Sequence, residues 1–200
     1  MLRRALDLMA CGLLGCLLTA RLGAADVGTQ TLHMLRIPGS TASVELPPSW
    51  ELANAVAGAL VVLQGPPEHS MPLGEALAAR PMIAITVQTL EPGQDQAQLM
   101  ARARAQCQRL LSHFTPLPPL DPTCTLSGRT WQYLHYSFDL AQQSCDQELY
   151  ISQGQGVAIY VVCSCAPSRA RIYEPLFRRT VASMSSSGAP SLGEALTPTR

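Results

Sequence analysis

A helical period runs through residues 94–114, in the middle of a chain otherwise patterned as strands. Ala97, Met100, Ala103, Cys107, Leu110, Leu111 and Phe114 recur three or four apart, with Gln96, Arg102, Gln106 and Arg109 on the opposite side. Asp95 stands where a carboxylate complements the helix dipole. Pro116, Pro118 and Pro119 stop the helix. A second helix is expected over residues 168–184, with Ile172, Leu176, Val181 and Met184 as its apolar face. Pro175 should kink that helix or mark a late start. Two helices set among strands place the chain in the α+β class.

The strands follow from alternation and turn residues. Residues 31–37 and 42–46 flank Pro38-Gly39-Ser40-Thr41 and read as a hairpin, closed by Pro47-Pro48-Ser49-Trp50. Residues 59–63 form a third strand, and 65–80 a proline-rich connection. In residues 81–90 both alternating sets are apolar enough to be covered, so this strand is expected at the centre of the sheet. After the long helix, residues 124–126 lead through a Ser127-Gly128 turn into 130–140. Residues 145–152 and 157–165 form a hairpin around Gln153-Gly154-Gln155-Gly156. The repeated pentapeptide LGEAL, at 73–77 and 192–196, is too short to mark a repeat.

The N-terminus bears on compartment. Arg3 and Arg4 precede a 13-residue apolar run, and Gly23 and Ala25 suit cleavage after Ala25. The run is too short to span a bilayer, which takes about 20 residues. A buried core helix is the competing reading, but basic start, short core and small-residue exit occur together here. The expected organisation is a signal peptide over 1–25, one domain over 26–186 and a disordered tail over 187–200. Leu13-Leu14-Gly15-Cys16 also fits a lipobox, which would make an acylated Cys16 the mature N-terminus; the apolar Leu17 and Leu18 count against it. Apart from the leader or such a lipid, no membrane association is expected.

All fourteen basic residues are arginine. Without lysine the chain has no Schiff-base nucleophile, pyridoxal anchor or Walker-type phosphate clamp. Without Arg3, Arg4, Arg21 and Asp7, eleven arginines face thirteen carboxylates, so nucleic acid is not an expected partner.

Val44-Glu45-Leu46-Pro47-Pro48-Ser49-Trp50, Ile83-Ala84-Ile85-Thr86-Val87, the hairpin over 148–163, Tyr173-Glu174-Pro175-Leu176 and Val181-Ala182-Ser183-Met184 resemble the Mog1/PsbP-like fold. Within it the chain resembles the exported DcrB/LpqN-type envelope proteins, over roughly residues 30–186. The resemblance implies an antiparallel β-sheet packed by two main helices, an α/β sandwich. It implies an exported envelope or periplasmic protein that acts as a protein-binding, adaptor or assembly module on another envelope protein. It brings no catalytic set and no cofactor. The cysteines and the 65–80 connection are not part of its pattern.

Two of the seven cysteines, Cys11 and Cys16, lie in the leader. An exported chain usually pairs the rest. If Leu149 and Ile151 share a face with Val157, Ile159 and Val161, hairpin partners have position numbers of even sum. Cys145 then lies opposite Cys163, with Cys165 on the same face, so Cys145 could bridge to either. Cys107 and Cys124 are the other candidate pair. Five is odd, which leaves one thiol free or paired between chains. Alternatively, some or all are buried thiols acting as small hydrophobes, a reading that suits Cys107.

The competing functional reading is a thiol or metal site built from Cys145, Cys163, Cys165 and His135, and a third is a small ligand or lipid held between sheet and helices. The Cys-x-Cys spacing is looser than that of tetrahedral zinc sites. A Cys–His nucleophile would need a thiol beside His135 or His113 and an orienting group such as Asp139. No G-x-S-x-G, H-E-x-x-H or phosphate-loop motif is present. No catalytic, cofactor or metal residues are therefore assigned. Asp139 and Asp146 read as solvated strand-edge charges, and Trp50 and Trp131 as core or rim aromatics.

Overall fold

The computed structural model describes residues 34–37, 42–53, 59, 61–66, 80–140, 143–154 and 156–186. Cys16, Ala25 and the rest of the leader, residues 187–200, and all of the 65–80 connection but Gly65, Pro66 and Arg80 lie outside the described residues.

Among the described residues eight strands form one antiparallel sheet: β3 (Glu51–Ala53), β4 (Val61–Gln64), β5 (Met82–Thr89), β6 (Ser112–Pro116), β7 (Thr123–Leu126), β8 (Arg129–Leu140), β9 (Gln143–Gly154) and β10 (Val157–Cys165). The order is β3-β4-β5-β10-β9-β8-β6, with β7 also paired to β8. A second sheet holds β1 (Met34–Arg36), β2 (Ala42–Glu45) and β11 (Ser185–Ser186) in the order β1-β2-β11. The helices are α1 (Gln96–Leu110) and α2 (Ala170–Ala182), the latter entered through a 3-10 turn over Pro167–Arg169. The expected α+β class and mostly antiparallel sheet are present.

Both faces of the large sheet are covered, and the strand sequences show why. In β5, Met82 and Ala84 point to one face with Leu99, Met100, Ala103 and Cys107 of α1, while Ile83 and Ile85 point to the other with Phe177 and Val181 of α2. Its place between β4 and β10 is the central one its sequence requires. The chain leaves β5, crosses one face as α1 and re-enters at the far edge as β6. After β10 it crosses the other face as α2 and enters β11, beside β2. The second face is thus shared by α2 and the small sheet, whose Ile37, Ala42 and Val44 join the same core. Trp50 pins α2 there, edge-on to Tyr173 at 6.4 Å and to Phe177 at 6.3 Å.

The long helix is shorter than its apolar period suggests. Asp95 is its N-cap, with Oδ1 accepting from Gln98 N at 2.7 Å. It ends at Leu110, and residues 112–116 are a strand paired to β8, although 94–114 reads as continuously helical. Thr115 precedes Pro116, a position driven towards extended backbone, and Leu111 is already extended with ψ 129°. The short β3 carries no alternation that three residues could reveal.

The β9–β10 hairpin departs from the expected register. Gly154 pairs with Val157, Ile151 with Tyr160 and Leu149 with Val162, so partners have an odd sum. The even-sum argument assumed one apolar face. Because both faces are covered, Leu149 and Ile151 serve the α1 face while Ile159 and Val161 serve the α2 face.

Candidate functional site

This register decides which side chains meet. Directly paired residues share a face. Across β8, β9 and β10, His135 pairs with Glu148 and Glu148 with Cys163; one pair further on, Ser137 pairs with Asp146 and Asp146 with Cys165. Tyr133 and Tyr150 pair on the other side of His135 and Glu148. All lie on the α2 face, where Trp131, Tyr133, Tyr150, Cys163 and Cys165 belong to the core. An ionisable row is therefore laid across three adjacent strands, β8, β9 and β10, beneath α2.

Glu148 is its centre, with 3% of its surface exposed. Its Oε2 accepts from the Tyr150 hydroxyl at 2.5 Å and its Oε1 from the Tyr133 hydroxyl at 3.3 Å. Burial pushes its pKa up from the ordinary carboxylate range, against the opposing pull of the Tyr150 hydrogen bond. From α2, Arg178 places its guanidinium 5.9 Å from the Tyr133 ring centroid, and its Nε lies 3.3 Å from Glu174. Arg129 lies over the Trp131 ring at 5.8 Å. Trp131 is 1% exposed and its Nε1 finds no hydrogen-bond acceptor among the described residues.

His135 closes the other end. Its Nε2 lies 2.9 Å from Asp146 Oδ1 and its Nδ1 lies 2.8 Å from the Pro118 carbonyl oxygen. Asp146 is 8% exposed. It is a buried partner of His135 and not the solvated edge charge its sequence position suggests. Asp139 is partly exposed near the end of β8, 2.8 Å from the exposed His113. Burial opposes the charge on His135, but the contacts to Asp146 and Pro118 outweigh it, and its pKa stands above the ordinary 6.5.

The cysteines divide between the faces. Cys107 and Cys145 lie in the α1-side core, while Cys163 and Cys165 lie in the α2-side core with Cys124 packed against it. The expected bridges Cys145–Cys163, Cys145–Cys165 and Cys107–Cys124 would each have to pass through the sheet. Among the described residues no disulfide joins any of the five. The thiol-or-metal cluster of Cys145, Cys163, Cys165 and His135 is not assembled either, since Cys145 faces away from the other three. Burial pushes Cys145 up to about 11 and raises Cys107 and Cys163 as well, the reverse of an activated thiol. Cys107 instead donates to the Tyr136 hydroxyl, which donates to Gln147, a buried polar chain under α1. Among the described residues no three His, Cys, Asp or Glu side chains converge as metal ligands would.

Sequence comparison finds no matching family model and no matching curated protein. Solved structures do match. LpqN, involved in cell envelope biogenesis of Mycobacterium tuberculosis, superposes with a TM-score of 0.55 at 15% identity, over 74% of this chain and 84% of its own. The cyanobacterial PsbP (CyanoP) from Synechocystis gives 0.55 at 13% identity, over 82% and 98%. A Pseudomonas aeruginosa protein of unknown function, a putative regulator, gives 0.53 at 11% identity, over 80% and 99%. The fold is Mog1/PsbP-like. At these identities the likeness establishes architecture and carries no site residue across.

Sequence reasoning singled out His135, Cys163 and Cys165 but missed Glu148, Tyr133, Tyr150 and Arg178. One signal was present: Asp146 and Glu148 stand two apart inside a strand otherwise rich in buried residues. Carboxylates so placed share a face and need partners there.

Proposed function

We propose that this protein works outside the cytoplasm, in the periplasm or cell envelope, as a non-enzymatic module that binds another envelope protein. The observation that carries the reading is the state of the ionisable row: each group that could do chemistry is engaged by a neighbour or desolvated. Glu148 is held by two tyrosines, His135 by two acceptors, and Cys163 is buried with its pKa raised. The fold it shares with an envelope-biogenesis protein supports the compartment. Export would follow from cleavage after Ala25, or from lipidation at Cys16 as a membrane anchor. The two-helix sandwich inferred from the sequence is the platform for this role.

The contact surface we favour is the 65–80 connection between β4 and β5. Its base is closed: Gly65 N donates to Pro81 O at 2.8 Å, Arg80 Nε to Gly65 O at 3.0 Å, and Arg80 pairs with Glu51. A loop joined at its neck can vary without disturbing the strands. Replacing residues 67–79 by a short glycine linker should leave the unfolding midpoint unchanged and abolish partner recovery after crosslinking in cells. An unchanged partner set would refute the assignment. Intact mass of the envelope-derived protein separates a chain starting at Asp26 from one starting at acylated Cys16.

A small ligand between sheet and α2 is the second reading, favoured by the buried Trp131 Nε1, which finds no acceptor among the described residues. Native mass spectrometry that detects a copurifying molecule, lost in Trp131→Phe, would support it over the first.

A further inference from the structure

We infer that His135 is a proton-operated latch: as an imidazolium it pins residues 117–122 to the large sheet, and loss of its proton loosens that segment. The argument is one of donors and acceptors. The Pro118 carbonyl can only accept, and so can the Asp146 carboxylate. They lie at 2.8 Å and 2.9 Å from the two ring nitrogens. A neutral imidazole has one N–H, so it can satisfy one of the two and must turn a lone pair on the other. The cation satisfies both.

The surroundings favour the cation. From β9, Asp146 and Glu148 face His135; from β8 and β10 come the uncharged Tyr133, Cys163 and Cys165. Across from them α2 brings Glu174 and Arg178, paired with each other. The 3-10 turn packed on β9 adds Arg169, and the pinned segment adds Asp121, whose Oδ1 accepts from Thr123 N and Oγ1. When the proton leaves, the remaining N–H stays with the carboxylate, the stronger acceptor. The Pro118 contact is the one lost.

The consequence falls on residues 117–122. Besides the imidazole, they are held by Leu117 N donating to His135 O and by Tyr133 N donating to Pro122 O, both at 2.8 Å. Between those anchors the segment is exposed, and Leu120 is 74% exposed. Its loosening therefore changes an apolar, proline-rich surface according to external pH. The inference does not depend on the partner proposed above.

The test is NMR on the full folded chain, following His135 ring nitrogens and amide exchange of Leu117 and Tyr133 as pH rises, corrected for intrinsic exchange. Expected is a ring titration midpoint above 6.5, with both ring nitrogens protonated below it. Protection of these amides should then fall roughly tenfold, the scale of one charge-assisted hydrogen bond, with the midpoint of the ring titration. Asp146→Asn should move both midpoints to lower pH together, and His135→Gln should abolish the step. A neutral ring at pH 6.5, or protection that does not follow the ring in the wild type or in Asp146→Asn, would overturn the inference. Either result can be read even if His135→Gln does not fold.

Discussion

Tyr150→Phe tests the buried acid most directly, because it removes one oxygen and leaves the packing in place. The Tyr150 ring stays edge-on to Trp131 at 6.3 Å and tilted on Tyr133 at 5.1 Å. What disappears is the 2.5 Å donor to Glu148 Oε2. Tyr150 and Glu148 are 0% and 3% exposed, so water cannot take its place without opening the core. The other tyrosine donor, Tyr133, is at a longer 3.3 Å. A hydrogen bond to a charged acceptor contributes about 1.5–3 kcal/mol and a neutral one about 1. The loss should therefore depend on the charge of Glu148. Because the folded pKa of Glu148 is raised above 4.5, the native state binds more protons than the unfolded state between 4.5 and that folded value. Its contribution to stability is fully present below 4.5 and declines as pH rises through the window. Removing the hydroxyl that pulls this pKa down widens the window and deepens the loss. Urea unfolding should show Tyr150→Phe costing about 1 kcal/mol at pH 4 and about 2 above pH 7, with an unchanged m-value. In a Glu148→Gln background the cost should be about 1 kcal/mol and flat with pH. An equal cost at both pH values in the wild-type background would show that Glu148 is not the acceptor that matters, and the reasoning would fail.

Other substitutions probe the frame. Gly65→Ala places a Cβ 2.5 Å from Pro81 Cγ and 3.1 Å from the Trp50 ring, so thermal unfolding should show a loss of about 1–3 kcal/mol. Asp95→Ala removes the cap of α1 and should cost about 1 kcal/mol by the same measurement, while Asp95→Asn should cost little. With a thiol reagent at pH 8, half-buried Cys124 should label first, and Cys107, Cys145 and Cys163 only on unfolding. Peptide mapping of the non-reduced native protein should yield no Cys145–Cys163 link, because the two side chains leave the sheet on opposite faces. Finding that link in folded protein would refute the register.

Much of the fold was legible because its strands and helices obey simple periods. Both parities of residues 82–85 are apolar, which allows only a covered, central strand, and β5 is one. Ser127-Gly128, both at positive φ, turn β7 into β8 as their residue types predict. The end of α1 was harder. Leu111 and Phe114 continue the helical spacing, yet the backbone constraint from Pro116 outweighs that periodicity. The site was least legible. His135 and Asp146 are eleven residues apart and become partners only once β8 and β9 are in register. Arg178 and Glu174 arrive from a helix on the far side of β10, and no local pattern points to them.

The hairpin shows which evidence in the sequence should have outweighed which. An apolar pattern fixes a strand's face only when one face is wet. In β9 and β10 both faces are dry, so the pattern is silent on parity. Turn geometry is not. A two-residue loop joins residues i and i+3, whose numbers always have an odd sum. Gly154 and Val157 flank such a loop, with Gly156 at φ +76° supplying the backbone it needs. That parity alone separates Cys145 from Cys163 and puts Glu148 beside Cys163. The parity of the β8–β9 hairpin, where Leu140 pairs with Gln143, is odd for the same reason and puts His135 beside Glu148. Two short loops thus collect a histidine, two carboxylates and two thiols on one face, and leave Cys145, the remaining member of the supposed four-residue cluster, on the other.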